Sequence, residues 1–140
     1  MKKTFLSIIL LAFMAAANAG AIDMKAVKHA HPLPNFMLVI IQQGDMLALS
    51  PEQAQAVANW RAKHGPIAKK LVMAIKKGEQ QLQEASLNGT SKEEIMAQLD
   101  ALLKTRRQLA EMKTICRDNM RQILSDDQWN EVVSLYKEML

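Results

Sequence analysis

The chain has one cysteine, no catalytic signature and one long apolar run. A single thiol, Cys116, excludes an intrachain disulfide, so the fold must be held by packing. No glycine-rich phosphate loop, nucleophile elbow or HExxH zinc motif occurs, and Cys116 has no histidine near it in sequence. The expectation is a protein that is not an enzyme. The apolar run, Phe5 to Ala17, is broken only by Ser7 and is too short to span a bilayer; no second candidate follows it. Stable membrane insertion is therefore not expected. No alternation of period two competes with the helical pattern, so no strand is expected.

The apolar run belongs to a leader. Lys2 and Lys3 form its basic start, and Ala17-Asn18-Ala19 is a small-x-small cleavage site. Residues 1–19 are read as a cleaved signal peptide directing export to the periplasm. No cysteine stands near the cleavage site, which argues against a lipoprotein. With Lys2 and Lys3 taken from the 18 basic residues, 16 stand against 14 acids. So small an excess does not suit a nucleic-acid partner. Residues 20–34, with Gly20, Pro32 and Pro34, read as a flexible arm, and residues 35–140 as one helical domain.

A five-residue element occurs twice, Leu49-Ser50-Pro51-Glu52-Gln53 and Leu124-Ser125-Asp126-Asp127-Gln128. Each is a helix-start signal. Ser50 and Ser125 suit the N-cap, and Gln53 and Gln128 fall three residues later, where the side chain closes a capping box. Leu49 and Leu124 precede the caps, placed to staple onto Ala54 and Trp129. Pro51 fits the first helical position, and the acids of the first turn face the positive end of the helix dipole.

Four helices follow, near 35–47, 51–87, 91–123 and 126–139. The first is apolar nearly all round, from Phe36 to Ile41, and should be buried or shared with a partner. The second contains Gly65-Pro66, where a kink is expected. Asn88-Gly89 stops it, and Ser91 with Glu94 offers a capping box to the third. Along the third, Ile95, Leu99, Leu102, Leu109, Met112, Cys116 and Met120 form an apolar stripe. Two long helices joined by a tight turn make an antiparallel hairpin, which brings both LSxxQ elements to one end. A hairpin so thin buries little core alone, and a homodimer is the expected remedy.

The doubled element resembles the paired LTxxQ motifs of the periplasmic Spy/CpxP family, with serine in place of threonine in both copies. The resemblance spans roughly residues 35–140. It implies a curved, cradle-like dimer and ATP-independent chaperone activity toward unfolded or misfolded envelope proteins. The CpxP branch further implies an adaptor that docks on the periplasmic domain of a sensor kinase. In the metal-sensing relative CnrX, a His and a Met stand four apart at a fixed offset before the second motif, and Cys116 and Met120 occupy those two places here. With ZraP, that relative implies the alternative, a heavy-metal sensor or buffer.

The residues themselves offer two candidate sites. For client binding, Met73, Met96 and Met112 supply adaptable apolar contact, and Lys69, Lys76, Arg106, Arg107 and Arg117 supply charge. Core filling and a solvated face are the plain reading of the same residues. For a metal, Cys116 and Met120 are soft ligands on one helical face, and the hairpin register brings His64 near Cys116. His29 and His31 form a His-x-His pair on the arm. Such a set suits Cu(I) or a soft or borderline divalent ion; otherwise no cofactor is expected.

Overall fold

The computed structural model describes residues 32–140, so the leader and most of the arm, with His29 and His31, lie outside the described residues. The described chain is all-helical, with four α-helices and no strand among those residues. Helix α1 is Phe36–Gln42, α2 is Pro51–Leu87, α3 is Lys92–Ile123 and α4 is Asp126–Glu138.

The first helix is shorter than its apolar pattern suggests. It stops at Gln42, and a separate 3-10 turn, Gly44–Leu47, continues the chain. Gln43 leaves helical geometry at φ −122 and ψ 18, and Gly44 beside it adds backbone freedom. Ala48, next after the turn, takes the left-handed conformation at φ 45 and ψ 50, which delivers the chain to Leu49 and Ser50.

Helix α2 has 37 residues, a length of about 55 Å at 1.5 Å per residue. It passes through Pro66 without interruption. Proline crowds the Cβ of the residue before it when that residue is helical; here the residue is Gly65, which has none. Helix α2 ends in a full Schellman motif. Gly89 sits at φ 69, the Thr90 N–H donates to the Ala85 carbonyl at 3.0 Å, and the Gly89 N–H donates to the Ser86 carbonyl at 3.3 Å. Helix α3 starts at a Ser91 cap, but only half of the expected capping box forms. The Glu94 N–H donates to the Ser91 hydroxyl, while the Glu94 carboxylate accepts from that hydroxyl rather than from the backbone.

Helices α2 and α3 lie side by side with residue numbers running in opposite directions. The Gln53 side chain reaches the Ile123 carbonyl, Trp60 lies beside Cys116, and Glu79 pairs with Arg106. A Cβ built at Gly78 would stand 3.2 Å from Leu102 Cδ1, so glycine lets the two helices approach closely there. The core has two parts. Val39, Ile40, Leu47, Val57, Met120, Leu124, Val132 and Leu135 form the larger one, where α1 and α4 pack on the open end of the pair. Phe36 packs on Trp129 and Tyr136 there, with ring centroids 4.8 and 5.6 Å apart. Ile75, Leu102 and Leu109 form the smaller one, toward the turn. No described helix is long and apolar enough to cross a membrane.

Candidate functional site

Three places in the structure carry side chains beyond simple packing: the meeting of the two LSxxQ elements, the surroundings of Cys116, and the flanks of the α2–α3 pair near the turn.

Both elements form complete capping boxes. Ser50 Oγ accepts from the Gln53 N–H and Ser125 Oγ from the Gln128 N–H, both at 3.2 Å. In return Gln53 Oε1 accepts from the Ser50 N–H and Gln128 Oε1 from the Ser125 N–H, both at 2.9 Å. The two glutamines then join. Gln53 Nε2 donates to Gln128 Oε1 at 2.8 Å, and Gln128 Nε2 donates to Gln53 Oε1 at 3.1 Å. Each amide has one N–H left. Gln53 gives it to the Ile123 carbonyl at 2.9 Å and Gln128 to the Leu47 carbonyl at 3.0 Å. An amide offers two donors and two acceptor positions, so both glutamines are saturated. The near-symmetric clasp ties the starts of α2 and α4 to the end of α3 and to the 3-10 turn. Ser50, Gln53, Ser125 and Gln128 thereby belong to the architecture of the domain, as do Leu124, buried in the larger core, and Leu49, packed against it. The capping boxes are local and legible in sequence; the reciprocal bond between the glutamines is not.

The candidate metal ligands fall in different surroundings. Met120 is wholly buried in the larger core, and Cys116 is half-buried against it. Burial pushes the Cys116 thiol up, opposed in part by hydrogen bonding from the Trp60 side chain and the Met37 backbone. His64 stacks on Trp60, ring centroids 3.9 Å apart. Trp60 thus touches both His64 and Cys116. Among the described residues no three His, Cys, Asp or Glu side chains gather as a metal would require.

The candidate client-binding residues are spread over several surfaces. Met73, Lys69 and Lys76 are exposed on α2, and Met96 is exposed on α3. Met112 is half-buried. Arg106 is held by Glu79, Arg107 by Glu111 and Arg117 by Asp118.

An apolar groove of about 620 Å³ runs along one flank near the turn, lined by residues that include Leu82, Leu87, Ile95, Leu99, Leu103 and Arg106. Leu87 is 79% exposed and Leu103 49%. The Arg106 Nε at its edge is buried without a hydrogen-bond partner among the described residues. The other flank carries a groove of about 580 Å³ with small and polar walls, among them Ala74, Gly78, Ala101 and Thr105. Ile95 and Leu99 belong to the sequence stripe of α3. Leu103 continues that stripe four residues after Leu99, whereas Leu87 stands at the end of α2, and only the pairing of the two helices makes one wall of them.

The chain matches no protein-family model, no curated protein and no solved structure.

Proposed function

We propose that this protein is a periplasmic, ATP-independent chaperone that holds exposed apolar segments of unfolded or misfolded envelope proteins, working as a homodimer. The observation that carries this reading is the open groove around Leu87 and Leu103. Large leucines left so exposed mark an interaction surface more readily than a solvated face. Arg106 at the edge, although paired with Glu79, keeps further N–H donors that can meet client carbonyls. The resemblance of the doubled LSxxQ element to the paired LTxxQ motifs agrees with this reading, as does the export leader. Release follows from weak binding and from client folding, with no energy source required.

The test is an aggregation assay with several unrelated reduced or heat-treated clients. The protein should slow aggregation without ATP, and Leu87→Gln with Leu103→Gln should weaken that effect while helicity is unchanged. Light scattering should give twice the monomer mass. Unchanged aggregation of every client overturns the reading. Tight binding of Cu(I), Zn(II) or Ni(II) that is lost in Cys116→Ser would then put the metal alternative in its place.

A further inference from the structure

Charge is unevenly distributed along the α2–α3 pair. Between Gln53 and Gly78, helix α2 carries Arg61, Lys63, Lys69, Lys70, Lys76 and Lys77 and no Asp or Glu. All six cations are exposed, and none has an ion pair among the described residues. The small overall net charge conceals this stretch, because the acids lie mostly toward the two ends of the helices. Glu52, Asp126 and Asp127 sit at the clasp, and Glu84, Glu93 and Glu94 near the turn.

Four of these lysines are arranged around one methionine. Lys69 and Lys76 are seven apart, as are Lys70 and Lys77, and Met73 lies three or four residues from each of the four. On a helix that spacing puts all five on one face, with a lysine pair along each shoulder and Met73 on the crest. Leu71 and Ile75, between them in sequence, turn the other way, into the helix pair. Met73 is 60% exposed. Neighbours at the i±3 and i±4 positions of the four lysines include a single acid, Glu79, and it is engaged by Arg106. Four like charges this close repel one another unless an anion offsets them.

The shape of the face selects among anions. It is the convex ridge of one helix, and both grooves described above lie on the flanks without including any of its five residues. An acidic peptide bound here would find neither a cleft nor a strand edge. A planar anionic surface can meet all four ammonium groups at once. The lysine stems lie along the apolar interface and the charged ends reach the phosphates, while Met73 enters between headgroups. We propose that the Lys69–Lys77 ridge is a peripheral docking face for an anionic phospholipid surface, distinct from the leucine groove and able to act beside it.

The test compares proteins expressed from the full 140-residue sequence, so that any contribution of the N-terminal region is common to all. Cosedimentation is measured with vesicles of phosphatidylcholine alone and of phosphatidylcholine mixed with phosphatidylglycerol. The parent should bind the mixed vesicles only, and less as salt rises. Each lysine near an anionic surface is worth a factor of about five, so Lys69→Gln, Lys70→Gln, Lys76→Gln and Lys77→Gln together should weaken binding by at least ~100-fold. Helicity and thermal midpoint should be retained, because these side chains are exposed and outside both core clusters. A control with the same loss of charge elsewhere, Lys92→Gln, Lys104→Gln, Arg121→Gln and Lys137→Gln, should keep most of the binding. Absence of binding to the mixed vesicles, equal binding to both kinds, or equal losses in the two variants overturns the proposal. Binding of polyglutamate through the four lysines without vesicle binding also overturns it and assigns the face to an acidic protein.

Discussion

Gln53 and Gln128 face each other amide to amide, each donating to the other, at 2.8 and 3.1 Å. Each oxygen also closes the capping box of its own helix, so cap and clasp share atoms. The consequence is cooperative: loss of one glutamine unmakes its own cap and leaves the other amide half-satisfied in a part-buried place.

Gln53→Leu and Gln128→Leu should each cost about 1–3 kcal/mol, the penalty of stranding polar groups. The double variant should cost clearly less than the sum, because the second change removes groups already stranded. Urea unfolding of the four proteins measures this. Strict additivity would mean that the two amides do not act as a unit.

Ser50→Ala and Ser125→Ala should each lower stability by about 0.5–2 kcal/mol through a lost cap. Thermal melts check this, and midpoints equal to the parent would remove the serines from the account of the repeat.

Pro66→Ala should raise stability by about 1–3 kcal/mol, since proline deprives helix α2 of one hydrogen bond. Gly65→Ala alone should fail to give the gain that alanine usually brings to a helix interior, because its Cβ would crowd the Pro66 ring. Made together with Pro66→Ala, it should add a further gain of about 0.5–1 kcal/mol. Chemical denaturation of the three variants decides whether Gly65 is what carries the helix through the proline.

Much of this architecture is legible locally. The bounds of α2 and α3 follow from Ser50, Asn88-Gly89 and Ser91, because capping depends on residues a few positions apart. The early end of α1 was less legible, since the apolar run masks the break at Gln43. The pairing of Gln53 with Gln128 was not legible at all. A glutamine three residues past a serine signals a capping box, and nothing in that signal reserves its N–H groups for a partner 75 positions away. Met120 shows the opposite difficulty. Its spacing from Cys116 suits a ligand pair and an apolar stripe equally, and only burial separates the two. The spacing of the four lysines was legible, whereas the exposure of their face and the joining of the leucines into a groove needed the neighbouring helix.

Ala48→Gly should stabilise the fold by about 1 kcal/mol, the usual relief when a Cβ is removed from a left-handed backbone. Its φ of 45 is the only positive value at a non-glycine position among the described residues. A loss of stability in urea would show that the turn tolerates Ala48 without strain.

Cys116 should react slowly with iodoacetamide at mildly alkaline pH in the folded protein. Burial raises its pKa, so less thiolate is present than in an open chain. Labelling followed by mass spectrometry should show a sharp acceleration in denaturing urea. Equal rates in both conditions would mean that the thiol is neither buried nor shifted.

The clasp is built from amides, hydroxyls and backbone groups, and among the described residues none in the buried core is polar or charged. None of the groups in the clasp gains or loses a proton across the physiological range, and none depends on counter-ions. A change of acidity or salinity would therefore leave this frame indifferent, whatever it does to the charged side chains outside it.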